Sequence, residues 1–381
     1  MAKSLHSSSS PSATVMLTGD VMTGRGVDQV LGHPSKPLLH EPYIHDARDY
    51  VRMAETVNGQ VPAPVPSNYI WGDLLPEIER HGPDVRIVNL ETAVTTSSTA
   101  WPGKSIHYRM HPANVDCLTS AGIDCCVMAN NHVLDWGRKG LDETLHVLQQ
   151  AGLQTAGAGE DGDEAWAPAV LPLAGRARML VFACSTTSSG VPAGWSAAPR
   201  TPGIALFHEL SDTSARLFAE DVARRRSPGD LVMVSIHWGS NWGLELPSAH
   251  REFAHQLIDL GAADIVHGHS SHHPLPIEIY RGKPIFYGCG DLINDYEGIA
   301  ARNSLRSDVG CLYFVTLYLG SGRLKRLEII PVQLRRFRLT PADAPARAWL
   351  ERIFVSNGAR LESLPGARKF SGWTLHWNQP A

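Results

Sequence analysis

Short apolar runs, each closed by a cluster of polar side chains, recur along the chain. The run 13–18 ends at Gly19-Asp20, 85–90 carries Asn89 and leads to Glu91, and 123–128 leads to Asn130-Asn131-His132. The runs 231–236 and 263–266 end at His237 and at His267-Gly268-His269-Ser270-Ser271-His272-His273. Such runs, bounded by Gly, Asn and Asp, predict buried strands, and 179–184 is another. Between them, helices are predicted over 71–81, 140–150, 215–226 and 253–260, with a further one started by Pro112. Leu141, Leu145 and Leu148 mark one helix face and Gly152 its stop. After Pro274 the pattern changes to strands alone, over 277–280, 285–287, 312–319 and 324–332.

A βα half followed by a β half predicts an α/β fold with two sheets face to face and helices outside. The main domain is expected over 13–340. The Pro-, His- and Tyr-rich segment 33–68 lacks sustained periodicity and reads as an excursion inserted near the site. Residues 1–12 are expected to be disordered, and 341–381 to form a short helix and a loose tail.

Composition narrows the function. With 34 Lys and Arg against 38 Asp and Glu, the net charge of -4 gives no electrostatic footprint for nucleic acid or an anionic membrane. No run approaches the roughly 18 apolar residues of a membrane span. The amino-terminal residues lack the apolar core of a signal peptide, so a cytoplasmic protein is expected. The six cysteines show no CxxC spacing and are expected to be buried thiols.

The strand-end clusters carry oxygen or imidazole donors and no cysteine, a set suited to a hard or borderline cation. Strand ends of an α/β sheet deliver rigidly held groups into one crevice. Asp20, before the glycine-bearing turn at Gly24, suits a metal ligand; a helix cap is the structural alternative. Glu91 offers an anionic oxygen able to bridge two cations. An amide oxygen from Asn130-Asn131 ligates without adding charge, and His132 is placed to protonate a leaving group. Asp135 is expected either to orient His132 or to cap the following helix. His237 gains weight from its company. In the histidine turn, His269 and His272 are expected to ligate, with His267 and His273 behind them, and Gly268 to permit a sharp bend. Arg25 either meets a substrate phosphate or carboxylate, or is an ordinary surface arginine. Nucleophile-elbow, Walker and HExxH patterns are absent.

Taken in order, Gly19-Asp20, Asn89-Leu90-Glu91, Asn130-Asn131-His132 with Asp135 and Gly137, His237-Trp238-Gly239, and Gly268-His269 with a further histidine resemble the capsule-synthesis (CapA, poly-γ-glutamate synthesis) family. That family is similar to the calcineurin-like metallophosphoesterases. The resemblance runs from about residue 15 to 295 and includes Tyr287-Gly288-Cys289-Gly290-Asp291, where many relatives carry asparagine at the last position. It implies a four-layer α/β/β/α sandwich with one or two divalent ions (manganese, iron or zinc) at the strand ends. Asp20, Glu91, Asn131, His237, His269 and His272 would be the ligands and His132 the general acid. Asn89, Asn130, His267, His273 and Asp291 would stand behind them or meet substrate. Two departures bear on the site. Met22 occupies the position of a phosphoesterase histidine, leaving the first metal short of a ligand. Two serines separate His269 from His272, where the phosphoesterases have one residue. The amino-terminal membrane anchor common among capsule-synthesis relatives is not expected here. The implied function is metal-dependent hydrolysis of an anionic small molecule or polymer, a phosphoester first and a γ-glutamyl amide second. The alternative is a capsule or polyglutamate assembly factor that binds anionic polymer through metal and arginines without turnover.

Overall fold

The run 13–18 is part of a longer strand, Ser12–Val21, inside a large mixed sheet. The computed structural model describes residues 10–299, 305–366 and 369–377. On one side Ser12–Val21 pairs in parallel with Val85–Leu90, which leads on to Cys125–Val127 and Gln154–Ala156. On the other it pairs antiparallel with Val309–Tyr318, followed by Leu324–Arg335, Trp373–His376 and Arg360–Ser363. The short strand Asp291–Ile293 also pairs with its end. A second mixed sheet runs Leu206–Phe207, Arg178–Thr186, Leu231–His237, Ile265–His269, Lys283–Phe286 and Ile277–Tyr280.

Strand alternation then fixes the layers, because successive side chains leave opposite faces. Tyr313 meets Phe286 of the second sheet at a ring distance of 4.9 Å, whereas neighbouring Phe314 stacks at 4.1 Å on His81 of the outer helix Leu75–His81. In the second sheet Val181 and Met233 join the core shared with the first. Phe182 and Val234 instead pack with Phe218 and Phe253, from helices Asp212–Arg225 and Ser248–Asp259. Asp116–Thr119 and Gly137–Gln150 bury Leu118 and Leu141 into the core on the first sheet's side. The result is a four-layer α/β/β/α sandwich. All six cysteines are buried free thiols. Among the described residues no helix is long and apolar enough to cross a membrane.

Three local expectations are corrected. The excursion 33–68 contains a helix, Arg48–Asn58, that buries Tyr50 and Ala54. Its stripe spans too few turns to stand out from the flanking Pro-rich sequence. The tail is not loose: after helix Ala344–Phe354, strands Arg360–Ser363 and Trp373–His376 extend the first sheet, with Trp373 in register with Ile329. An edge strand with one wet face carries little apolar signal. Finally, Gly72 (φ +55) divides the helix expected over 71–81 into a 3-10 turn, Tyr69–Leu74, and the helix Leu75–His81. The disordered tip expected over 1–12 lies mostly outside the described residues, but the first strand already begins at Ser12.

Phe286 holds the two sheets together through Tyr313, so Phe286→Ala is expected to cost about 3–5 kcal/mol of stability. Urea unfolding measures it, and a loss below about 1 kcal/mol would contradict the shared core.

Candidate metal centre

The site begins with a bulge. Ser12–Val21 and Val85–Leu90 stay in register through Leu17 and Ile87, then shift so that Asp20 stands opposite Asn89. Gly19 permits this, since a Cβ there would lie 1.6 Å from the Gly290 carbonyl oxygen. The close approach also pairs Asp20 with Asp291 across the neighbouring strand. Asp20 is therefore inside the strand, at its irregular end, and is not a helix cap. Its Oδ1 accepts from Asn89 Nδ2 at 2.6 Å, and Asn89 Oδ1 accepts from Asn130 Nδ2 at 3.0 Å. Asn130 Oδ1 in turn accepts from the His132 backbone N–H at 3.1 Å. Asn89 and Asn130 thus tie three strand ends together from behind.

On the second sheet, parallel register sets His237 opposite His269, with their Nδ1 atoms 2.6 Å apart. Proton positions follow from one obligate acceptor. The Thr18 carbonyl can only accept, so His267 Nε2–H donates to it at 2.7 Å, joining the two sheets. His267 Nδ1 then accepts from the Ser235 hydroxyl at 3.0 Å, and that hydroxyl accepts from His269 Nε2–H at 2.8 Å. His269 Nδ1 therefore carries no proton and accepts from His237 Nδ1–H at 2.6 Å, which leaves His237 Nε2 bare. The same His269 nitrogen lies 3.9 Å from Asp20 Oδ1. Backing of this kind orients a metal-ligating imidazole. His273 turns away to the Pro274 carbonyl at 3.1 Å.

Gly268 does not make the bend. It sits within the strand, where a Cβ would lie 2.5 Å from the Tyr287 carbonyl oxygen. Ser270 (φ +102) and His272 (φ +57) make the turn, which delivers His272 Nδ1 to 2.8 Å from Asp291 Oδ1.

Two buried groups could hold a cation: Asp20, His237 and His269, and Asp20, Glu91, His272 and Asp291, with the donor atoms of each group within 4.8 Å of one another. Asp20 belongs to both. Asp20 Oδ2, Glu91 Oε1, Asn131 Oδ1 and His237 Nε2 are buried without hydrogen-bond partners. Leaving such atoms unsatisfied costs about 1–3 kcal/mol each, and more for charged groups. A divalent cation accepts all four donor types, so the residues fit one. Asp291, expected behind the ligands, belongs to the second of these groups.

Electrostatics favour a cation at most of these groups; at His272 burial lowers and the neighbouring Asp291 raises, with a net rise that works against ligation. Burial, with the Asp291 charge added, raises the Asp20 carboxyl from 3.8 to about 7. Burial and then Asp20 push Glu91 well above the carboxylate range. Burial holds His237 and His269 well below the ordinary histidine value, favouring the neutral, ligating form.

Beside the cluster, His132 Nδ1 lies 2.7 Å from Asp135 Oδ2, its ring stacks on Tyr108 at 3.7 Å, and its Nε2 is 3.9 Å from Glu91 Oε1. Asp135 therefore orients His132; the following helix starts at Gly137 with Trp136 at its cap. Arg25 is buried, not a surface residue. Its Nε and Nη2 engage Asp295, and its Nη1 donates to Glu41 at 2.9 Å and to Tyr50 at 2.8 Å, leaving one of five N–H groups free. A cavity of about 710 Å³ opens in front, lined by Lys104, Tyr108, Asn131, His132, Trp242 and His272 among others. Lys104, Tyr108 and Trp242 escaped the sequence reading, since none ends an apolar run that leads to the site.

The family model for the bacterial capsule synthesis protein PGA_cap matches residues 14–296. The chain belongs to this family. It is 46% identical over 360 residues to a probable polyglutamine synthesis accessory protein of Mycobacterium tuberculosis, covering 92% of this chain and 94% of that one. It is 23% identical to the capsule biosynthesis protein CapA of Bacillus anthracis, over 84% of this chain and 67% of that one. A crystal structure of a phosphatase from Mycoplasma pneumoniae is similar at a TM-score of 0.48 and 15% identity, covering 85% of this chain and 95% of that one.

Because Asp20 is raised, its carboxyl binds more protons in the folded metal-free protein than in the unfolded chain between its two values, 3.8 and about 7. The Asp20 contribution to the stability of metal-free protein therefore falls as pH rises through that window, while the lowered His237 and His269 contribute with the opposite sign. Both leave more metal-ready groups at higher pH, so added manganese is expected to stabilise more at the upper end. Thermal melts across pH with and without manganese check this. Manganese stabilisation that shrinks with rising pH would contradict it.

Proposed function

We propose that this chain is a metal-dependent hydrolase of an anionic ester, phosphoester first, working in the polymer synthesis for which its relatives are named. The observation that carries the reading is the grouping of buried, unpartnered Asp20, Glu91 and His237 atoms beside the Asp135–His132 pair, with the unpartnered Asn131 Oδ1 on a residue of the same cavity wall. Asp20, Glu91, Asn131, His237, His269 and His272, with Asp291, would hold one or two ions. When bound, manganese, iron or zinc supplies Lewis acidity and positive charge at the reacting centre.

The chain's own residues do the rest. The Asn89–Asn130 network fixes Asp20, and the Tyr108 stack fixes the plane of the His132 ring. Burial, with the Lys104 ammonium next, holds His132 well below its ordinary value, so it is neutral in the substrate-free site. A substrate anion favours the imidazolium, as any nearby negative charge does. His132 thus gains its Nε2 proton only with substrate in place, and passes it to the leaving oxygen as general acid. The remaining Arg25 N–H is available to a substrate oxygen.

Binding of anionic polymer without turnover is less well supported. The cations lining the cavity are committed: Arg25 to Asp295 and Glu41, Lys104 to Asp135. Hydrolysis of a γ-glutamyl amide is the second reading, because the same donors and proton relay serve an acyl centre.

Purified protein with added manganese is expected to turn over p-nitrophenyl or bis-p-nitrophenyl phosphate. His132→Ala should lower kcat by about 10²–10⁴-fold with metal content unchanged. Turnover of γ-glutamyl-p-nitroanilide alone would move the substrate to the amide. Bound metal with no turnover of any ester or amide would sink the hydrolase reading.

A further inference from the structure

Lys104 lies behind His132, with its side chain only 13% exposed. Its ammonium reaches three groups: Asp135 Oδ1 at 2.7 Å, the Ile106 carbonyl at 2.8 Å and His132 Nδ1 at 3.1 Å. The other Asp135 oxygen, Oδ2, accepts from the Tyr108 backbone N–H at 2.6 Å and lies 2.7 Å from the same His132 nitrogen. One ring nitrogen therefore sits between a group that only donates and a group that, ionised, only accepts.

This arrangement decides what His132 presents to the cavity. A neutral imidazole carries one N–H. If it is on Nδ1, it donates to Asp135 and Nε2 is bare toward the cavity. If it is on Nε2, Nδ1 accepts instead and the cavity meets a donor. The shorter contact, 2.7 Å against 3.1 Å, is to Asp135.

We propose that Lys104 is a positioning residue that keeps Asp135 a hydrogen-bond acceptor and so holds the His132 proton on Nδ1, with Nε2 bare toward the cavity. The cation is needed because Asp135 is fully buried and, among the described residues, Lys104 is the one fixed positive charge at hydrogen-bonding distance from it. Burial raises its carboxyl to about 6 even with Lys104 beside it. Without the ammonium the carboxyl takes a proton from solvent, and its O–H donates to Nδ1. The ring then carries its single proton on Nε2. No net charge changes on the imidazole; only the tautomer does. The effect on rate rests on the hydrolase reading, but the tautomer does not.

The test is imidazole ¹⁵N NMR on metal-free and zinc-loaded protein, alongside manganese-dependent kinetics. Wild type is expected to show a protonated Nδ1 and a bare Nε2 for His132. Lys104→Met should reverse that pattern, and Lys104→Arg should restore it. Lys104→Gln, which keeps a donor without charge, is the second variant should Lys104→Met fail to fold, and the same reversal is expected. In kinetics, Lys104→Met should lower kcat by about 10²-fold with KM within about twofold, since the Nε2–H of a neutral ring backed by a protonated carboxyl is a far weaker acid than the imidazolium that a carboxylate supports. An unreversed tautomer in Lys104→Met or Lys104→Gln overturns the proposal, as does a loss confined to KM. If wild type turns over nothing, the hydrolase reading fails while the NMR pattern still decides the role of Lys104.

Discussion

Negative charge buried at the seam between two sheets is the constraint on which this structure depends. Asp20, Glu91 and Asp291 face one another with almost no exposure, and water cannot screen them there. In so dry a place like charges repel strongly, and each carboxylate has lost its hydration. Such a cluster persists only if the surrounding chain over-determines it. The ties that do so are specific: the Gly19–Gly290 approach, the Asn89–Asn130 chain behind Asp20, and the His267–Thr18 hydrogen bond across the sheets. Each is a backbone or amide contact that positions a carboxylate or imidazole without neutralising it. In the metal-free protein the raised Asp20 and Glu91 carboxyls meet that deficit with protons, which a bound cation would displace.

The same seam explains which parts of the site the sequence revealed. Asp20, Glu91, Asn131, His237, His269 and His272 each close or follow an apolar run, so a polar residue stood out against its background. Their order along the chain matched a family pattern, and the fold brings most of them into one place. Asp291 was visible as a residue but not as a neighbour of Asp20, because strand register between distant segments is a tertiary fact. Gly268 was seen and misread: a glycine needed for close packing against Tyr287 looks in sequence like a glycine needed for a bend. Lys104 gave no signal, since it lies in a segment without periodicity and matters only where that segment folds. The helix Arg48–Asn58 and the two tail strands were hidden for a plainer reason. Each depends on packing against a partner that local pattern does not contain.

Proton placement links the two halves of the site. In the second sheet, the Thr18 carbonyl forces a chain of donors and acceptors through His267 and Ser235 that leaves His269 Nδ1 without a proton, accepting from His237. Around His132, an ion pair takes the place of a carbonyl. A backbone carbonyl can never donate, so the first chain needs no ionised group to keep its direction. A carboxylate can be protonated, so the second needs a cation to stay an acceptor. Lys104 meets that need from the Nδ1 side of the ring, at the cavity wall. Two imidazoles at one seam thus have their ring protons set by different devices. On the proposed function, the first serves a residue that has only to bind a cation, and the second serves one that has to gain and lose a proton.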